Sequence, residues 1–95
     1  MKSLHTLLKI AQRKLDELGA EAVRAGREVE ELNQKVAGIR AREQQEIATS
    51  AANPAYAAML PAYRLRVRWQ IDEISVQTRA KEAELAEIRE RLSAA

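Results

Sequence analysis

Side chains that could carry acid–base, nucleophilic or metal chemistry are sparse in this chain. It holds one histidine, His5, and no cysteine, which excludes disulfides and thiolate metal sites. A general base or metal ligand needs partners within hydrogen-bond reach, and no second histidine or nucleophile accompanies His5. We interpret His5 as an ordinary residue at the edge of a heptad. The sequence therefore predicts a protein that is not an enzyme and has no cofactor or metal.

Paired carboxylates are the other residues that could act as acids and bases. Basic side chains lie three or four positions from most of them, so on helices these pairs are best interpreted as solvated faces. The pairs are Asp16–Glu17, Glu30–Glu31 and Asp72–Glu73. The three glycines are separated along helical patterns and form no phosphate-binding loop. They are Gly19, Gly26 and Gly38.

The segment "YRLRVRW" alternates three arginines with apolar residues. No second strand candidate exists to pair with it, so we predict a helix on which the arginines spread over about 200° as a basic collar. Nucleic-acid binding is one interpretation, but 16 basic against 14 acidic residues give a formal charge of only +2, and such binding is driven by phosphate neutralisation. We favour charges that flank a partner-binding surface, because Tyr, Trp and Arg are enriched at interface hot spots. Tyr63 and Trp69 plug the end of the fold, contact a partner, or do both.

The elements that position these residues are helices. The chain is 46% apolar, with much alanine, and 32% charged, which is typical of coiled coils. Alternating steps of four and three residues from Leu4 reach only apolar residues as far as Ile39, and we call this row of positions a seam. The next two steps reach Glu43 and Glu46, where the apolar pattern stops. A second seam runs from Val67 to Ala95, with seven of its nine positions apolar. No segment approaches the roughly 18 apolar residues that span a bilayer, so we predict a cytoplasmic protein without membrane insertion.

Both prolines lie between the two seams. Asn53 is a good N-cap with Pro54 at the first helical position, and Pro61 lacks the N–H that a helix interior requires. Each helix has one apolar stripe and needs a partner, and the short connection favours folding back. The predicted fold is all-α: an antiparallel two-helix coiled coil, or long helical hairpin. We predict helix one over 3–49, a tip turn over 50–61 and helix two over 62–95.

Folding back near residues 53 to 55 makes facing residue numbers sum to about 107. Trp69 then lies near Gly38 and Lys81 near Gly26, which suggests close packing of bulky against small residues. The same alignment leaves residues 1 to 11 without a partner helix, although they include several leucines. An apolar helix end that is left uncovered favours binding to a partner.

The chain resembles the flagellar FliJ family, small components of the flagellar type III export apparatus that are related to injectisome stalk proteins. The resemblance spans the whole chain. It depends on "SLHTLLKIAQRKLDEL" at the N-terminus, on the tip rich in Ala, Asn, Pro and Tyr, and on the second heptad helix ending in "EAELAEIRERLSAA". The most telling part is the pattern LxxLLKIAxxxLDE from Leu4 to Glu17. The resemblance implies an antiparallel coiled-coil stalk, cytoplasmic and peripheral to the membrane export apparatus.

The resemblance implies two kinds of contact. The open end of the hairpin enters the ring of the hexameric export ATPase, and the part of the hairpin near the tip contacts the membrane export-gate protein. The residues carried over for the ATPase contact are Leu4, Leu7, Leu8 and Ile10. Those carried over for the gate are Ile47, Tyr63 and Val67. Additional candidate tip contacts are Tyr56, Arg64, Arg66, Arg68 and Trp69. Shuttling of export chaperones is also implied, with no residues assigned.

Family members usually continue beyond the point where this chain stops, in a segment that would cover the N-terminal end of helix one. Either the chain is a piece of a longer protein, or it is a short member that obtains this surface from a second copy. A weak homodimer is compatible with an export role. The alternative function is a self-associating structural coiled coil of two hairpins, without an export role.

Overall fold

The computed structural model describes residues 2–95 and contains two α-helices. Helix α1 spans Lys2–Ala51 and helix α2 spans Pro54–Ala94, with a two-residue turn at Ala52 and Asn53 between them. No strand occurs in the described part of the chain. The predicted all-α helical hairpin is therefore confirmed. Neither helix is long and apolar enough to cross a membrane over the residues described.

The predicted seam of α1 is the face that α1 buries. Ala25 is buried, and the seam positions from Leu15 to Ile39 on either side of it are half-buried. Residues between them are mostly exposed, as expected for a helix with one apolar stripe. The alternating spacing of four and three residues thus identified the packing face correctly.

The same face continues beyond the point where the apolar pattern stops. Glu43 and Glu46 are half-buried and Ser50 is buried, and all three follow the spacing of four and three. The Ser50 hydroxyl donates to the backbone oxygen of Glu46 at 2.8 Å, so this buried hydroxyl has a hydrogen-bond partner within its own helix. The residues of this face become polar after Ile39, but the face itself continues to Ser50.

Contacts divide the described chain into two units. The first contains residues 2–29 and 80–95 and has a core of Ala25, Leu85 and Ile88. Partly buried side chains pack against that core, and they are Leu18, Ala22 and Leu92. The pairing of segments from α1 and α2 in this core is what an antiparallel hairpin requires.

The second unit contains Glu30–Arg79 and includes the turn. Its buried residues are Val67 and Ile74 on α2 and Ser50 on α1. At the turn, the Asn53 side-chain oxygen accepts a hydrogen bond from the Ala55 N–H at 3.0 Å. The Asn53 carbonyl accepts the first helical bond, from the Ala57 N–H, also at 3.0 Å. Asn53 is thus the N-cap of α2 and Pro54 its first residue, as predicted.

The predicted tip turn over 50–61 is wrong in its length. Residues 54–61 are helical, and Pro61 lies inside α2, so helix two begins at Pro54 and not at residue 62. Helix one also extends two residues past the predicted end, to Ala51. The capped start at Asn53 fixes the helix at its first turn, and the proline costs only one internal hydrogen bond at an exposed position.

The close packing expected at Gly26 and Gly38 is not observed. A Cβ built on Gly19, Gly26 or Gly38 would have no atom within 4 Å outside its own helical surroundings. Trp69, which the alignment placed near Gly38, is 62% exposed. These glycines therefore do not serve close approach of the helices.

Candidate partner-binding surfaces

The N-terminal stripe, defined here as Leu4, Leu7, Leu8 and Ile10, is uncovered. Its exposed fractions are 55%, 62%, 61% and 45%. Leu92 of α2 packs in the same cluster as Leu18. Among the described residues, α2 therefore lies beside the part of α1 around Leu18, and the preceding turns of α1 are exposed. The stripe predicted to lack a partner helix is therefore exposed in the structure.

The charged side chains in the sequence around the N-terminal stripe are all basic. Four basic residues and no acidic residue precede Asp16 in the sequence. Lys9, Arg13 and Lys14 have no ion pair among the described residues. A partner would therefore bind this stripe more favourably if it had acidic groups around an apolar centre.

The residues carried over for the gate contact differ in their accessibility. Ile47 and Tyr63 are half-buried, whereas Val67 is only 4% exposed. Val67 packs between the helices and is not available to a partner in this state. It occupies the seam because the spacing of four and three places it there.

A patch of aromatic and apolar side chains forms next to the turn. Tyr56 and Met59 are 50% and 67% exposed and share a shallow groove of about 120 Å³ with Tyr63 and Arg66. Glu46 of α1 lines the same groove, and its carboxylate has no partner among residues 2–95. Met59 was not identified from the sequence, although its position three residues after Tyr56 and four before Tyr63 places it on the same helical face.

Trp69 lies in a neighbouring groove of about 380 Å³, together with Tyr63, Arg66 and Glu73. Because Trp69 is 62% exposed, it does not plug the end of the hairpin. The half-buried Tyr63 fits that interpretation better. Of the two interpretations given for Trp69, contact with a partner is the one compatible with its exposure.

The arginine collar is mixed with acidic groups. Arg64 Nε lies 3.8 Å from Glu43 Oε2, whose side chain is only 15% exposed. Arg64 and Arg68 also share a groove of about 700 Å³ with Asp72. Arg66 and Arg68 have no ion pair within the described residues. Acidic neighbours weaken the attraction of this surface for phosphates, so nucleic-acid binding gains no support.

The chain matches no family model, no curated protein and no solved structure. Function must therefore be inferred from the chain's own surfaces. Over residues 2–95, no group of three or more His, Cys, Asp or Glu side chains could hold a metal ion. His5 is exposed on the first turns of α1, away from any groove. The features that remain are the N-terminal stripe, the aromatic patch near the turn and the outer face of α2.

Proposed function

We propose that this protein is a non-enzymatic component of the flagellar type III export apparatus that binds the hexameric export ATPase and the export gate. The proposal is supported by the resemblance of residues 3–18 to the FliJ family and by a hairpin of the kind that family has. The observation that carries it is the exposure of the N-terminal stripe. In the resemblance this stripe is the ATPase contact.

The energetics of the stripe favour a binding role. Burying a leucine or isoleucine fully contributes about 1.5–3 kcal/mol, and each of these four side chains is still roughly half exposed. Covering all of them on one partner would therefore offset a substantial part of the entropy lost on association. The surrounding basic residues add an electrostatic preference for an acidic rim on the partner, which mainly increases the rate of association.

The helix that carries the stripe is suited to a coupling role. Helix α1 continues without interruption for 50 residues, so Leu4 and Ile47 lie on one continuous helix. A helix is a semi-rigid spacer, whereas a Gly/Ser-rich linker of the same length is a flexible coil. We assign the gate contact to the patch near the turn, with Tyr63, Ile47, Tyr56 and Met59 as its contacts. Shuttling of export chaperones belongs to the same proposal without assigned residues.

The ATPase contact is tested by binding of the purified chain to the purified export ATPase. We compare the wild type with the triple variant Leu4→Glu, Leu7→Glu and Leu8→Glu. The matched control is Val23→Glu, because Val23 is equally exposed, at 62%, but lies outside the stripe. We expect the triple variant to weaken binding by at least about tenfold and the control to bind as the wild type does. A wild-type chain that does not bind the ATPase, or a triple variant that binds normally, would contradict the proposal.

The gate contact is tested separately with the cytoplasmic part of the export-gate protein. Tyr63→Ala combined with Met59→Ala should weaken binding, whereas the N-terminal triple variant should bind the gate normally. If the chain binds neither the ATPase nor the gate and forms a tight dimer at micromolar concentration, the alternative of a structural coiled coil without an export role is the better description.

A further inference from the structure

Helix α2 has apolar residues on two opposite faces. Its inner face includes the buried Val67 and Ile74. The outer stripe, defined here as Leu65, Trp69 and Val76, lies within an arc of about 40° because its members are four and seven residues apart. At about 100° per residue, Val67 is roughly 200° from Leu65, so the outer stripe points away from the inner face.

The outer stripe is largely exposed among the described residues, and Leu65 at its N-terminal end also lines a groove with Arg40 and Glu43 of α1. Leu65, Trp69 and Val76 are 45%, 62% and 66% exposed, and all three lie in the unit formed by Glu30–Arg79. A helix that packs on one side only would carry polar residues at these positions. Three large apolar residues in one line on a solvent face therefore indicate an interaction surface.

The charges on either side of the outer stripe are arranged in opposite pairs. Arg68 and Asp72 lie on one flank, and Arg66 and Glu73 lie on the other. All four side chains are exposed, and none has an ion pair among the residues that the structure describes. Arg64, by contrast, pairs with Glu43 of α1. Each flank thus has one free basic group followed, toward the C-terminus, by one free acidic group.

We propose that the outer stripe binds a second copy of this chain, with the two α2 helices antiparallel about a two-fold axis near residue 70. Facing residue numbers then sum to about 140. Leu65 faces Val76 of the second copy, and the two Trp69 side chains pack beside the axis. In an antiparallel pair of helices, residues on the same flank meet. Arg66 therefore meets Glu73 of the second copy, and Arg68 meets Asp72.

The self-complementary charges are what favour a second copy over another partner. One alignment satisfies both flanks and the apolar centre together, and the two-fold axis repeats each ion pair, giving about four in all. A parallel alignment in register would place the arginines of both copies side by side and the acidic residues side by side, which is unfavourable. The inference does not depend on the export role.

The contact is short, so the dimer is expected to be weak. Residues 65 to 76 cover about 17 Å of helix, which corresponds to the small end of specific interfaces. We expect a dissociation constant on the order of 10–100 µM. Because these ion pairs are exposed, the affinity should fall as salt is added.

Sedimentation equilibrium from about 10 to 500 µM tests the location of the interface. We expect the wild type to dimerise and Leu65→Glu with Val76→Glu to remain monomeric with unchanged helicity. Val23→Glu, and the triple variant of the N-terminal stripe, should dimerise as the wild type does. A wild type that is monomeric throughout this range, or a dimer lost in the N-terminal variant and kept in the outer-stripe variant, would overturn the proposal.

Charge exchange tests the pairing. Arg66→Glu with Arg68→Glu should abolish the dimer, and adding Asp72→Arg with Glu73→Arg to the same chain should restore it. Loss of the dimer without restoration would show that the charges do not pair as proposed.

The absence of cysteine from the native sequence allows a direct test of orientation. An equimolar mixture of a Leu65→Cys chain and a Val76→Cys chain should form mainly the mixed disulfide under mild oxidation. Each chain alone should cross-link poorly, because identical positions lie about 15 Å apart along the axis in the antiparallel dimer. Preferential cross-linking between two Leu65→Cys chains would instead indicate a parallel pair of helices and would contradict the antiparallel arrangement.

Discussion

The Lys81 ammonium of α2 lies 2.7 Å from the Glu28 carboxylate of α1, and this ion pair joins the two helices at a seam position. Glu84, one turn further along α2, lies 3.4 Å from the same ammonium. The hydrogen bond to Glu28, followed by the bond to Glu84, raises the pKa of Lys81 above its ordinary value. Lys81 is the only charged residue in the second seam, and a charged seam residue favours the alignment that brings an opposite charge within reach.

The raised pKa of Lys81 predicts how stability depends on pH. Because the folded chain holds this proton more tightly than the unfolded chain, the contribution of the pair is fully present below the unfolded pKa of about 10.4. This contribution is lost as the pH rises through the higher pKa that Lys81 has in the folded chain. We expect wild type and Lys81→Met to keep a constant difference in unfolding free energy between about pH 6 and 9. Above about pH 10.5 the wild type should lose stability relative to the variant.

Urea unfolding across this pH range measures the difference. Lys35→Met is the control, because Lys35 is exposed and has no ion pair among residues 2–95. It should show no such relative loss at high pH. If the difference in unfolding free energy between the wild type and Lys81→Met stayed unchanged up to about pH 11.5, the ion pair would not contribute to stability.

Identical leucine substitutions should separate the core from the N-terminal stripe. Leu85 is 8% exposed and belongs to the core of the first unit, whereas Leu7 is 62% exposed. We expect Leu85→Ala to lower the free energy of unfolding by about 2–5 kcal/mol because it leaves a cavity. Leu7→Ala should change it by less than about 0.5 kcal/mol, since most of the Leu7 side chain is already exposed to solvent. Denaturation followed by helical circular dichroism tests this, and equal losses for both variants would argue against the described alignment of α1 and α2.

The glycines offer stabilising substitutions. A Cβ at Gly26 or Gly38 would have no atom within 4 Å, so Gly→Ala meets no steric obstacle. Each change should stabilise the protein by about 0.5–1 kcal/mol through the lower entropy of the unfolded chain and better helix propensity. Thermal unfolding of the single and double variants measures this, with near additivity expected between these separated sites. Destabilisation of either variant would reveal close packing at that glycine.

The heptad register could be predicted from the sequence because it depends on local geometry. Every seam position from Leu15 to Ile39, and from Val67 to Leu92, is buried or half-buried in the structure. Glu43, Glu46 and Ser50 could not be recognised from polarity, because their side chains are polar although they lie on the face along which α1 packs. Continuing the spacing of four and three would have found them.

Surface assignments were less predictable. Val67 had two conflicting interpretations, as a seam residue and as a gate contact, and burial decides for the seam. The alternation of "YRLRVRW" predicts a strand or a basic collar, and neither prediction shows the outer stripe on α2. On a helix, the apolar residues of this segment divide between opposite faces: Val67 points inward, whereas Leu65 and Trp69 point outward.

The N-cap of α2 should contribute measurably to stability. Asn53→Ala removes the side-chain acceptor that bonds to the Ala55 N–H at 3.0 Å. We expect a loss of about 1 kcal/mol, and Asn53→Asp should retain most of the stability because it keeps an acceptor and adds a favourable charge at the helix N-terminus. Chemical denaturation compares the three proteins. Equal losses for Ala and Asp would show that the cap contributes little and that the turn is held by other contacts.

Pro61 should be destabilising where it stands, in contrast to Pro54. Pro61 is the eighth residue of α2, where its ring removes the bond to the Ala57 carbonyl, and its exposed side chain supplies little packing in return. We expect Pro61→Ala to stabilise the protein by about 1–3 kcal/mol, less the part offset by the greater freedom of the unfolded chain. Pro54→Ala should be neutral or slightly destabilising, because the first helical residue needs no N–H donor. Unfolding free energies of the two variants decide the matter, and hydrogen exchange near residue 61 should slow only in Pro61→Ala. If Pro61→Ala destabilises the hairpin, the proline must support the tip in a way that its lost hydrogen bond does not explain.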